Sequence, residues 1–232
     1  MFKTLAISKM RHTRTGTQTF LLWTAIFLLL LGVPAANAQS PEELFNQAMS
    51  LDKDGFLGES SEVWEKLLKA NPEGDLKKTA QLKLASTLFK LFKFNRSEEV
   101  VRDLIRSDAN NYHAHFHLAN ILAAQRKFSE AIPEFQKVIE LHPDEGLGFV
   151  GLALSRFGNR EPDIATQLVK SARAIFRKKK NIVWTQNMRF MGQQIKSFAI
   201  YKPSFADLWL KNNLKLVQKT YEEKLFTPWF SR

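Results

Sequence analysis

Tyr112-His113-Ala114-His115-Phe116-His117-Leu118-Ala119-Asn120-Ile121-Leu122 opens a stretch that runs to Pro143 and holds two short helical patterns. Leu118, Ala119 and Leu122 share one face of the first pattern. Ala131, Phe135 and Val138 share one face of the second, and Pro143 stops it. The small residues let the two helices approach closely, and the aromatic fills the space between them. Pro133 falls early in the second helix, where a proline is tolerated.

The same pattern returns 34 places away in both directions. Leu84-Ala85 with Leu88 precedes Leu118-Ala119 with Leu122, and Leu152-Ala153 repeats the pair. Lys93-Phe94 recurs as Lys127-Phe128, Ala131 as Ala165, and Leu104, Val138 and Ala172 form another row. A fixed period of this length marks stacked helix-turn-helix units, which build binding surfaces more often than active sites.

Four units stand in phase from about residue 41 to 177. The first carries Leu44, Ala48, Leu51, then Ser60, Trp64, Leu67 and Pro72. Three extra residues follow it near Gly74-Asp75, where the spacing predicts a lengthened turn. The second carries Leu84, Ala85, Leu88, then Ser97, Val101, Leu104 and Ala109, without an exit proline. The fourth carries Phe149, Leu152, Ala153, then Ala165, Val169 and Ala172, and its second helix opens at Pro162, a favourable first-turn position.

These units resemble tetratricopeptide repeats in their Leu-small pair, their Ala and aromatic on the second helix, and the proline at its exit. The resemblance implies an all-α solenoid of about four helix-turn-helix repeats over residues 39–177, with C-terminal capping helices in residues 178–232. It also implies a concave groove lined by the first helix of each unit, with Leu82, Lys83, Ser86, His113, Phe116, His117 and Asn120 as candidate partner-binding residues. Phe89, Lys90, Leu147, Val150, Leu154 and Phe157 extend that surface, and Leu147, Val150 and Leu154 equally suit packing against the C-terminal helices. Some members of the family clamp a partner's C-terminal carboxylate. The matching positions here are Phe45, Met49, Lys83, His113 and His117, only one of them a firm cation, so that clamp is not implied.

Chemistry has little purchase on this sequence. It contains no Gly-rich phosphate loop, no paired zinc-ligand motif and no Gly-x-Ser-x-Gly elbow. The absence of cysteine removes thiolate ligands, cysteine nucleophiles and redox motifs. His113 and His117 are four apart and could share a metal ion, but no third ligand is evident. The expectation is a non-enzymatic protein with no cofactor and no metal; a metal site or enzyme built on the histidines is the remote alternative.

Residues 1–38 read as a secretory signal peptide. Lys3, Lys9, Arg11 and Arg14 precede an apolar run from Phe20 to Val33, and Ala36-Asn37-Ala38 forms a small-x-small cleavage site before Gln39. The run is shorter than the roughly 20 apolar residues of a membrane span. The expected location is periplasmic or secreted, with cleavage after Ala38; retention as an N-terminal anchor is the minor alternative.

The formal net charge is +11, and it is unevenly placed. Residues 39–172 hold 17 Lys/Arg against 20 Asp/Glu, whereas residues 173–232 hold 13 against 3. Arg177, Lys178, Lys179 and Lys180 form the densest run. Trp184, Met188, Met191, Ile195 and Phe198 then share a helical face up to Tyr201-Lys202-Pro203. Leu214, Val217, Tyr221 and Leu225 mark a further amphipathic helix that Pro228 is predicted to stop. Export argues against nucleic acid as the partner of this basic, aromatic segment. The expected partner is a protein or peptide of the cell envelope held in the groove. The alternative is an anionic membrane surface or glycan held by the basic segment.

Overall fold

The computed structural model describes residues 39–200 and 203–230, so the predicted signal peptide lies outside the described residues. The described residues form ten α-helices and no strand. Four antiparallel pairs stack in order. They are α1 (Pro41–Asp54) with α2 (Leu57–Lys69), α3 (Gly74–Lys90) with α4 (Phe94–Ser107), α5 (Tyr112–Ala124) with α6 (Phe128–Leu141), and α7 (Gly146–Gly158) with α8 (Pro162–Lys178). Helix α9 (Ile182–Phe198) packs on α8, and α10 (Pro203–Phe230) packs on α5 and α7. None of these helices is long and apolar enough to cross a membrane.

The 34-residue rows are the contact lines of the pairs. Ala48, Ala85, Ala119 and Ala153 are fully buried and face Ser60, Ser97, Ala131 and Ala165, which are equally buried. Where the facing residue is serine, its hydroxyl donates across the pair: Ser60 Oγ to the Ala48 carbonyl at 3.1 Å and Ser97 Oγ to the Ala85 carbonyl at 2.7 Å. Trp64, Val101, Phe135 and Val169 fill the next layer outward. Pro133 lies inside α6 and the helix continues through it.

Each pair turns on the same device. Gly55, Phe92, Arg126 and Arg160 adopt left-handed backbone, with φ of 85°, 59°, 64° and 67°. The next amide bonds back five residues: Phe56 to Leu51, Lys93 to Leu88, Lys127 to Leu122 and Glu161 to Arg156, each at 2.9 Å. This closure satisfies carbonyls that the helix end would otherwise leave open. Lys180 repeats it before α9.

Two details differ from the sequence reading. The extra residues near Gly74 do not lengthen a turn, because the connections before α3, α5 and α7 are equally long. They extend α3 by about one helical turn: α3 has 17 residues against 13 in α5 and α7. Asp75 in that added turn complements the positive helix end. Second, α10 runs past Pro228 to Phe230. A proline in the last turn forfeits one amide donor, which is too little to stop a helix that is nearly finished.

Candidate functional site

The inner face of the solenoid is built from α3, α5 and α7, and α10 lies along it. Helix α10 runs antiparallel to α5 and α7. Near its start, Asp207 accepts two hydrogen bonds from Arg126 in the α5–α6 turn, at 2.9 and 3.1 Å. Trp209 packs edge-on against Phe157 at the end of α7 and donates to Gln194 of α9 at 3.0 Å. Near its other end, Lys224 meets Glu145, the N-cap residue of α7, at 2.5 Å.

The centre of the contact is aromatic. Tyr221 stacks on Phe116 with ring centroids 3.5 Å apart and an interplanar angle of 14°. Phe116 meets Phe135 edge-on behind it, so the stack continues into the α5–α6 pair. The Tyr221 hydroxyl lies 2.5 Å from His113 Nδ1. Phe226 sits beneath the Lys83 ammonium, which is 3.9 Å from the ring centroid.

Polar groups surround that centre. Gln218 Nε2 donates to His117 Nδ1 at 3.1 Å and to Glu222 Oε1 at 2.5 Å. Glu222 also meets Lys90 at 3.1 Å. Lys83 approaches Asp52 at 3.9 Å, and Asp52 also accepts from Ser60 on α2 and Thr87 on α3. His117 Nε2, Asn120 Oδ1 and Gln218 Oε1 are buried without a protein partner, and His117 and Gln218 face each other between α5 and α10.

Burial sets the ionisation of these groups. It pushes His117 down to about 4, with Glu222 pulling the other way and Lys90 and Lys83 adding to the depression. It also pushes His113 down to about 4, assisted by His117, His142 and Lys224. Lys83 falls to about 8 because burial outweighs the attraction of Asp52. For Glu222 burial acts upward, but Lys90, His117 and hydrogen bonds from Ser86 and Gln218 outweigh it and hold the carboxyl below its ordinary range.

The structure thus brings Leu82, Lys83, Ser86, His113, Phe116, His117 and Asn120 to one surface. All but His113 are buried there to 6% exposure or less, and His113 is partly buried. The basic run is separate from that surface. Arg177, Lys178, Lys179 and Lys180 are exposed at the end of α8, and Lys179 pairs with Asp144 at 2.7 Å. Leu147, Val150 and Leu154 are buried on α7, which has ten of its 13 residues buried.

The three alternating histidines do not converge. His115 points away from the groove, with Nδ1 2.6 Å from Glu134 and Nε2 3.0 Å from the Ala109 carbonyl. The Glu134 hydrogen bond raises its pKa, opposite to its neighbours. Among the described residues no three His, Cys, Asp or Glu gather as metal ligands.

Sequence reasoning missed the residues that α10 contributes: Gln218, Glu222 and Phe226 in the groove, and Tyr221 as the partner of Phe116. One signal was present. Helix α5 carries no Lys, Arg, Asp or Glu, and α7 carries one, Arg156. A helix apolar on every side is covered on every side.

Residues 82–146 match the family model described as Tetratricopeptide repeat. No curated protein matches the chain. Among solved structures, MamA superposes with a TM-score of 0.58 at 17% identity over 74% of this chain and 99% of that one. MamA from Desulfovibrio magneticus gives 0.54 at 11% identity, over 69% of this chain and 97% of that one. YrrB, titled a TPR protein with an unusual peptide-binding site, gives 0.55 at 17% identity, over 75% and 86%. At these identities the likeness is one of fold. The stacked helix pairs and their 34-residue rows give the chain the fold of a tetratricopeptide-repeat solenoid, and residues 82–146 match the repeat itself.

Proposed function

We propose that the protein is an exported interaction scaffold of the bacterial cell envelope whose concave groove takes an amphipathic helical segment of a partner protein. The observation that carries this reading is α10 itself. It lies along the groove as a helix, with Tyr221 on Phe116 and Phe226 under Lys83. The groove therefore suits a helix with two aromatics five residues apart, a carboxylate between them and a carboxamide three residues before the first. Helix α10 holds that place in cis, and the partner competes with it. The peptide-binding site described for YrrB is consistent with this reading.

The test is capture from envelope extracts. Tyr221→Ala with Phe226→Ala should release α10 and raise capture of the groove partner. Adding Phe116→Ala and His117→Ala should abolish the gain. Identical capture profiles for all three proteins would refute the groove reading. Export is tested separately: protein recovered from the producing cell should begin at Gln39, and an intact N-terminus in a cytoplasmic fraction would overturn it.

A further inference from the structure

Helix α9 presents a second surface, outside the groove. Its inner residues Trp184, Met188, Met191 and Ile195 are buried against the last repeat pair. Three large apolar residues stand exposed on its outer side, Ile182 at 70%, Val183 at 66% and Phe190 at 58%, and Ile200 follows in the turn after the helix at 81%. Helical spacing makes them one stripe. Ile182 and Val183 stand two turns from Arg189 and Phe190, and two further turns lead to Lys196. The stripe is about 26 Å long.

The segment that carries it has charge of one sign, with Asp144 reaching Lys179 from outside that segment. Residues 164–206 contain nine Lys or Arg and no Asp or Glu. Arg177, Lys178 and Lys180 are exposed where α8 hands over to α9, and Arg189 and Lys196 are exposed along the stripe. Each of these five stands outside the ion pairs found among the described residues. Several cations elsewhere are paired, as at Lys90–Glu222, Arg126–Asp207 and Lys224–Glu145.

We propose that the α8–α9 turn and the outer face of α9 form a docking surface for an anionic phospholipid bilayer. A protein partner with a shaped apolar pocket would be met by a clustered knob. Here the apolar residues are spread singly along a convex helix between cations, the arrangement that suits a fluid surface with negative headgroups above acyl chains. The helix lies in the interface plane: Ile182, Val183, Phe190 and Ile200 reach the acyl boundary while the lysines and arginines meet the headgroups. The groove faces elsewhere on the solenoid and stays available to a protein partner.

Co-sedimentation with vesicles tests this. The chain begins at Gln39, because the apolar run from Phe20 to Val33 would partition into lipid by itself, and residues 41–232 are a compact unit of their own. Vesicles of neutral phosphatidylcholine are compared with vesicles carrying one-third phosphatidylglycerol. Binding is expected to the anionic vesicles alone and to weaken as salt rises. Replacing Arg177, Lys178 and Lys180 by Glu should cost about 100-fold or more in affinity. Ile182→Ser with Phe190→Ser should cost about tenfold. Both variants touch only exposed positions, and circular dichroism should show unchanged helix content. The Tyr221→Ala, Phe226→Ala protein should bind vesicles as the parent does, so failure of the groove reading leaves this outcome untouched. No binding to anionic vesicles, equal binding to neutral ones, indifference to both sets of substitutions, or retention on polyglutamate without vesicle binding would each overturn the proposal.

Discussion

Tyr221 is 1% exposed and Phe116 fully buried, so their stack holds α10 through desolvated aromatic area as well as geometry. Tyr221→Ala should cost about 3–5 kcal/mol of α10 docking. Tyr221→Phe keeps the stack and removes only the hydroxyl at His113, so about 1 kcal/mol is expected. Native-state hydrogen exchange of α10 amides reads both, and equal losses from the two variants would show that the ring does not anchor the helix. The turn residues offer a contrasting case. Phe92 holds φ at 59° while its side chain is 73% exposed. The left-handed conformation costs a non-glycine residue about 1–2 kcal/mol, whereas glycine adds about 0.5–1 kcal/mol of chain entropy to lose. Phe92→Gly should therefore be neutral or stabilise by about 0.5 kcal/mol in urea unfolding, although it removes the edge contact with Phe94. Residues of the first kind are hard to foresee. Phe116 and His117 can be assigned to the inner face from the repeat register alone. Tyr221 lies more than 100 residues away in sequence, and nothing local to it says that its ring ends on Phe116.

Helix α7 shows how an element is fitted to its neighbours by leaving side chains out. A Cβ added at Gly151 would overlap the Phe135 ring, one at Gly158 would stand 2.7 Å from the Phe128 ring, and one at Gly148 would stand 2.9 Å from Val138. Three glycines cost helix propensity, about 1 kcal/mol each relative to Ala. They admit side chains from α6 in return. Gly151→Ala should destabilise by about 1–3 kcal/mol despite its better propensity, because Phe135 is enclosed and cannot retreat. A denaturation midpoint that rises instead would mean the ring relocates freely. The helix pairs themselves were readable from the sequence because a 34-residue period repeats the same local choices: a small residue at the crossing and an aromatic or Val behind it. The destination of α10 was readable only as an alternative, in Leu147, Val150 and Leu154 suiting packing against the C-terminal helices, because its period changes and its contacts are all distant. The lack of charge around α5 and α7 was the available clue, and it bears on what covers a helix, not on which segment does.

The molecule has a groove filled by its own last helix and a basic end beside it, and the groove holds two histidines whose pKa values burial depresses. His113 and His117 face Tyr112, Tyr221, Gln218 and Glu222, with Lys83, Lys90, His142 and Lys224 nearby. Both are depressed from 6.5 to about 4 by burial. A depressed histidine binds fewer protons when docked than when released, so it contributes stability above pH 6.5 and loses it as pH falls toward 4. For fully buried His117 the loss at pH 4 is on the order of 3 kcal/mol. His115 acts in the opposite sense. Its raised pKa adds stability on the acid side, but it sits between α5 and α6 and holds that pair together, not α10. The two effects therefore separate in space. Hydrogen exchange followed from pH 7 to 4.5 should show α10 losing protection as acid is added, after correction for the intrinsic rate, while α6 keeps its own. His117→Gln removes the titration while keeping a hydrogen-bond acceptor for Gln218, and should flatten much of the α10 response. An α10 profile that does not change with pH, or one that His117→Gln leaves as steep as before, would show that the docked helix is held without regard to the protonation of the groove.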